Sequence, residues 1–241
     1  MFDGCTSLMT IPLTNVLLSG PNTFRNCATL PFADLTITTV LPANTFYGCT
    51  NLAEVTAPLV TAVGDSAFEA SGLVTFNSDT NGNASFARIV TIGDRAFYGT
   101  SIQLVSDMNS VDRVGTSAFE DCGGLSGNVV MPIVTVIGDR AFYGTSAARF
   151  EFGSVLRSIG DLALFDQNLA FILVDAQNSD YVTVDGILYN KDRTELIVIP
   201  AKLERSNVEL PAGLSVIDHF AAYGAMIDGE LVIPAGVREI A

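Results

Sequence analysis

The sequence predicts a β-rich α/β solenoid that completes a turn every 22–23 residues, and three observations carry that expectation. The segment Ile92-Gly93-Asp94-Arg95-Ala96-Phe97-Tyr98-Gly99-Thr100 returns as Ile137-Gly138-Asp139-Arg140-Ala141-Phe142-Tyr143-Gly144-Thr145, and self-similarity at a fixed period marks a repeat architecture. The phenylalanine of that segment falls at positions 2, 24, 46, 68, 97, 119, 142 and, as leucine, 164, in steps of 22, 22, 22, 29, 22, 23 and 22. Between copies runs a short stretch of period-two apolar alternation, often closed by proline, which reads as a strand.

The strands expected on this basis are Val55–Pro58, Val129–Pro132, Phe150–Phe152, Ile197–Pro200, Val208–Pro211 and Leu231–Pro234. The Gly-Asp-x-Ala-Phe segment reads as a turn into a short helix, with Asp94 and Asp139 capping the free N–H groups and Gly99 and Gly144 supplying the positive-φ exit. Degenerate copies are Val63–Phe68, Val114–Phe119, Ile159–Leu164 and Val216–Asp218. One such repeat cannot bury its own apolar face, so Ile92, Ala96 and Phe97 are expected to stack on Val114, Ala118 and Phe119. Two insertions interrupt the period. The first is a polar loop, Asn77–Asn83, followed by a glycosylation-sequon pattern at Asn83-Ala84-Ser85. The second makes 166–215 an irregular turn, in which Tyr181–Tyr189 and Leu196–Ile199 flank Asn190–Thr194 as a β-hairpin. Both ends fall inside a repeat, so residues 1–241 are expected to form one solenoid domain that is part of a longer array.

Charge narrows the function. The chain carries 12 basic and 26 acidic residues, for a net charge of −14. Up to Glu120 there are 10 acidic and 4 basic residues, and 16 and 8 follow, so no basic patch exists in either half. Nucleic-acid binding by phosphate neutralisation is therefore disfavoured, as is docking on anionic headgroups. No stretch has the roughly 20 mainly apolar residues of a bilayer span, and Met1-Phe2-Asp3 is acidic where a signal peptide would be basic.

The pattern apolar-Gly-Asp-x-Ala-Phe-x-Gly-Cys-x-x-Leu followed by a strand ending Ile-Pro resembles the BspA-like leucine-rich repeat family over essentially the whole chain. The segment Val184–Asp192 is similar to an element common in that family. Ser71, Thr100 and Thr145 stand where the pattern has cysteine, and Leu164 where it has phenylalanine. The resemblance implies a bacterial or protist protein that is secreted or on the cell surface, often adhesive toward host proteins or other cells.

No enzyme signature accompanies the repeats. His219 is the single histidine, so a Ser-His-Asp triad has one candidate base and a two-histidine metal site is impossible. No catalytic, metal-binding or cofactor-binding residue is therefore assigned, and no cofactor is expected. Cys5, Cys27 and Cys49, with Cys122 in the equivalent place, form one position in the stack, either buried free thiols or paired. Asp65, Asp94, Asp139, Asp161 and Asp218 form another, for capping or for Ca²⁺ between turns. Tyr47, Tyr98 and Tyr143 form a third, either an aromatic stripe for sugars or proteins or a packing ladder. The outward strand positions Thr56, Thr75, Val130, Glu151, Val198, Glu209 and Val232 are the candidate partner-binding face, because exposed apolar patches mark partner sites; a neighbouring domain packed there explains them equally. The function expected is a non-enzymatic protein-binding module. The alternatives are a carbohydrate-binding module, with a glycan ligand, or a structural spacer.

Overall fold

Repeats that cannot stand alone have to satisfy backbone groups as well as apolar side chains against their neighbours, and the computed structural model, which describes residues 2–78, 84–103, 105–106, 108–203, 207–227 and 229–241, shows how they do it. The chain winds into a β-solenoid of about nine turns. Residues 79–83, including most of the expected polar loop and Asn83 of the sequon pattern, lie outside the described residues.

Three parallel ladders run along the solenoid. The first consists of two-residue strands, Val40–Leu41, Ala62–Val63, Thr91–Ile92, Arg113–Val114, Val136–Ile137 and Ser158–Ile159, each paired in register with the next. The second is the strand face, divided into separate sheets. These are Phe32–Asp34 with Glu54–Thr56 and Thr75–Phe76, Ala84–Ser85 with Val105–Ser106, Ser126–Met131 with Ser146–Phe152 and Phe171–Val174, and Asn207–Glu209 with Glu230–Val232.

The third ladder replaces the expected short helix. Among the described residues no α-helix occurs; one 3₁₀ turn, Met108–Ser110, is present. In the Gly-Asp-x-Ala-Phe segments alternate N–H groups point along the solenoid axis and donate to the following turn. Phe24 donates to Thr45 O at 2.9 Å, Phe97 to Ala118 O at 2.8 Å and Phe142 to Ala163 O at 2.9 Å. The bend that makes this possible needs left-handed backbone twice per turn, as at Arg95 (φ 55°) and Gly99 (φ 65°), or Arg140 (φ 54°) and Gly144 (φ 70°). A left-handed non-glycine residue costs about 1–2 kcal/mol, which the ladder bonds offset. The aspartates follow the same logic. Instead of capping a helix of their own turn, Asp94 Oδ1 accepts from the Thr116 N–H of the next at 2.8 Å, and Asp139 Oδ1 from the Asp161 N–H at 3.1 Å.

The core is a column of stacked rings. Phe2, Phe24, Phe46, Phe68, Phe97, Phe119 and Phe142 lie with successive centroids 5.1–5.5 Å apart and planes within 15° of parallel. Gly115 shows how tight the rise is: a Cβ there would meet Asp94 Oδ1 at 2.5 Å and Asp94 N at 2.6 Å.

The second insertion holds one more hairpin than the sequence suggests. Tyr181–Tyr189 is two strands, Tyr181–Val184 and Ile187–Asn190, joined by Asp185 (φ 57°) and Gly186 (φ 85°), the backbone of a tight hairpin turn. The next strand, Glu195–Val198, does not belong to the strand face on which Ile197–Pro200 was expected. It pairs antiparallel with Ile187–Asn190 and parallel with Val216–Ile217, placing Leu196 beside Ile217. The hairpin returns the chain directly to that ladder, and this overrides the local apolar pattern.

Phe119 is fully buried between two stacked rings. Phe119→Ala is therefore expected to lower unfolding free energy by about 3–5 kcal/mol, read from chemical denaturation followed by far-UV circular dichroism.

Candidate functional site

The strand face holds most of the outward residues singled out in the sequence, but not as one continuous row. Thr56 registers with Asp34, and Thr75 with Glu54, so these two threonines occupy neighbouring columns of one sheet. Val130 registers with Glu151 and, beyond it, Leu173 in the central sheet. Glu209 registers with Val232 in another. Val198 is the exception: it is half-buried, packs on the core and sits in the hairpin sheet. Within the central sheet Val130 is 40% and Leu173 38% exposed. Between them Glu151 is paired with Arg149, whose Nε lies 2.7 Å from Glu151 Oε1 without hydrogen-bond alignment and whose guanidinium covers the Phe171 ring at 4.7 Å.

The tyrosine positions are half-buried, and two have a face covered from within. Arg95 lies 3.9 Å over the Tyr98 ring and Arg140 4.0 Å over Tyr143. The same guanidiniums bind carboxylates of the adjacent turn. Arg95 donates to both oxygens of Glu69, at 2.9 and 2.6 Å, and Arg140 pairs with Glu120. The hydrogen bond from Arg95 holds the Glu69 carboxyl below the usual carboxylate range. Burial works to raise the Glu120 carboxyl, but hydrogen bonds from Arg140 and Ser117 prevail and lower it. These arginines take left-handed backbone.

The four cysteines are free, and Cys27, Cys49 and Cys122 are buried. Each of these three thiols donates to the carbonyl of a phenylalanine one turn back, at 2.9–3.0 Å. Burial pushes Cys49 up to about 12 and Cys122 to about 11. Among the described residues, no three His, Cys, Asp or Glu side chains converge as a metal site requires.

One surface feature has no counterpart in the sequence expectations. Where the hairpin replaces a regular turn, Gly160–Asp166 and Asp218–Tyr223 flank a cleft of about 40 Å³. Its rim is aromatic. Tyr143, Phe165 and Tyr223 follow one another at centroid distances of 5.1 and 4.7 Å, and Phe220 and His219 continue the row at 6.0 and 4.9 Å. Phe220 and Tyr223 are 45% and 51% exposed. Phe165 reaches across beneath Gly224, where a Cβ would meet its ring at 2.7 Å. A faint sequence signal exists: Phe165 and Tyr223 continue the Tyr98/Tyr143 position, and Phe220 stands where Arg95 and Arg140 do in other turns. The hairpin hides that equivalence.

Stacked parallel strands, a buried ladder core and exposed outward columns define a leucine-rich-repeat-like solenoid. The BspA type leucine rich repeat region matches residues 1–88 and 79–171 in six copies, and the chain belongs to that family. Solved structures share the fold. A crystal structure of the pneumococcal vaccine antigen PcpA aligns with a TM-score of 0.70 at 18% identity, covering 92% of this chain and 64% of that one. A leucine rich cell surface protein from Faecalibacterium prausnitzii gives 0.67 at 20% identity, covering 92% and 67%. A leucine-rich repeat protein from Eubacterium ventriosum gives 0.59 at 20% identity, covering 97% and 54%. The chain thus spans about half to two thirds of the length of these neighbours. No curated protein matches its sequence. Among the described residues no helix is long and apolar enough to cross a membrane.

Two outcomes follow from this geometry. Under native conditions a thiol reagent should modify half-exposed Cys5 quickly, with Cys27, Cys49 and Cys122 reacting only on unfolding. Glu69 gains stability from a lowered pKa, so its contribution is full above the ordinary glutamate range and fades as pH falls through the depressed value. Glu69→Gln should accordingly destabilise by about 1 kcal/mol or less at pH 7, and the difference should vanish in denaturation curves at acid pH.

Proposed function

We propose that the chain is a non-enzymatic protein-binding module of a secreted or cell-surface protein, adhesive toward host or partner proteins, which binds through its strand face. The observation that carries this reading is the central sheet. Val130 and Leu173 stand exposed on either side of Glu151, on a backbone already held by parallel pairing. A preordered face loses little conformational freedom on binding, so modest contacts yield useful affinity. Thr56, Thr75, Glu209 and Val232 extend the face. The net charge of −14 favours basic partners and makes their association slower as salt rises. The described neighbours, a cell surface protein and a vaccine antigen, support the surface location. The arginines over Tyr98 and Tyr143 weigh against a sugar platform at those rings.

The test is binding of the chain to immobilised extracellular-matrix proteins and to a glycan array, at two ionic strengths. Binding to at least one matrix protein, weakened about tenfold or more by Val130→Lys, is expected, a loss of about 1.4 kcal/mol. Glycan binding abolished by Tyr98→Ala/Tyr143→Ala, or no binding to any surface, would overturn the reading in favour of a carbohydrate-binding module or a structural spacer respectively.

A further inference from the structure

The aromatic cleft is where the third ladder breaks. In seven turns the N–H at the core phenylalanine position, from Phe2 through Phe142, donates to a carbonyl of the next turn. The Leu164 N–H, next in that series, finds no acceptor among the described residues, and neither does the Leu162 N–H, the equivalent of Arg95 and Arg140. The cause is length. Four residues separate Ile92 from Phe97, but only two separate Leu196, which lies beside Ile217, from Ile199, whose N–H donates to Ala221 O at 2.7 Å. Two residues cannot make the left-handed bend, so the hairpin segment crosses without offering carbonyls to Leu162 and Leu164.

The first ladder is interrupted at the same level, and there the gap is filled. Tyr181 places its hydroxyl 3.3 Å from the Ile159 N–H and 3.4 Å from Arg157 O. Among the described residues, the gap in the third ladder has no such plug. Leu162 and Leu164 line the cleft with Phe165, Phe220 and Tyr223. A cleft of about 40 Å³ holds about three waters or the tip of one branched aliphatic side chain. Asp161 and Asp218 line it as well, while Asp166 is buried and accepts from Thr145 and Asn168, and among the described residues His219 is the one basic side chain in the lining.

We propose that this cleft is a second binding site, which takes an extended peptide segment with basic flanks. Two carbonyls of the segment accept from the Leu162 and Leu164 N–H groups, continuing the ladder as an added strand does at a sheet edge. One aliphatic side chain enters the cleft against Phe165, Phe220 and Tyr223, and flanking lysines or arginines meet Asp161 and Asp218. The inference rests on the protein-binding reading for the kind of ligand, but not on the strand face.

The test is ¹⁵N-resolved NMR with amide exchange on the full chain, using the capped peptide acetyl-Lys-Val-Leu-Val-Lys-amide as probe, its glutamate-flanked counterpart, and a cellohexaose arm. The lysine peptide is expected to slow exchange at Leu162 and Leu164 by about tenfold at ten times its Kd, and the glutamate peptide to bind more weakly. Phe220→Asn, which keeps a residue tolerant of positive φ, and Tyr223→Ala should each weaken the lysine peptide about tenfold or more. Unchanged protection at Phe119 and Phe142 shows that the variants remain folded, and Val130→Lys should leave peptide binding intact. The proposal is overturned by an absence of protection with the lysine peptide, by protection confined to the strand face, or by cellohexaose shifting Phe220 and Tyr223 while the peptide does not. A Val130→Lys variant that loses matrix binding alongside a silent cleft would sink this inference and leave the strand-face reading standing.

Discussion

The rise from one turn to the next, a little over 5 Å along the stacked phenylalanine rings, is the constraint on which the molecule depends, because two kinds of contact must be met at that one spacing. Rings pack favourably in offset stacks at this separation, and parallel backbones hydrogen-bond at about 4.8 Å. A turn that satisfies one automatically approaches the other, so side-chain and backbone terms reinforce each other along the whole array. The close approach is also what excludes side chains at positions such as Gly115, where the preceding turn already occupies the Cβ site.

From that spacing follows the shape of the repeat. A short helix would close its N–H groups on its own carbonyls and leave nothing for the neighbouring turn. Two left-handed residues four positions apart instead aim every second N–H between them along the axis, adding a third ladder to the two made by strands. The local strain at residues such as Ser66, Arg95 and Ser117 is tolerated because each is followed by bonds to the next turn. The aspartate column serves the same purpose, handing a carboxylate oxygen to the N–H above.

The same rule locates the surfaces that stand out. Where the stack is regular, its surface is self-satisfied: arginines cover tyrosines and bind glutamates of the adjacent turn, and cysteines hydrogen-bond to backbone. Where the hairpin shortens a turn, the bookkeeping of donors and acceptors fails on one side and aromatic rings gather around the gap. The strand face differs again, since its outward apolar residues interrupt no ladder and are simply uncovered.

The sequence by itself determined the period, the solenoid, the buried phenylalanine and cysteine positions and the acidic surface, because these depend on residue type at a fixed spacing and return in most copies. Tertiary structure alone decided the conformation of the Gly-Asp-x-Ala-Phe segment. Its residues suit a capped helix locally, and only a carbonyl 21 residues further on, such as Ala118 for Phe97, draws the N–H away. It also decided that Val198 belongs to the hairpin sheet, although its Ile-Val-Ile-Pro context is that of a strand-face residue. The Asp185-Gly186 turn was legible as a two-residue hairpin signal, yet the continuous apolar pattern around it reads as one strand. The aromatic cleft was hidden most fully. It joins Phe165 to Phe220 and Tyr223 across more than 50 residues of sequence, and it exists because two backbone donors in one turn find no acceptors in the next, a relation between turns that no local pattern encodes.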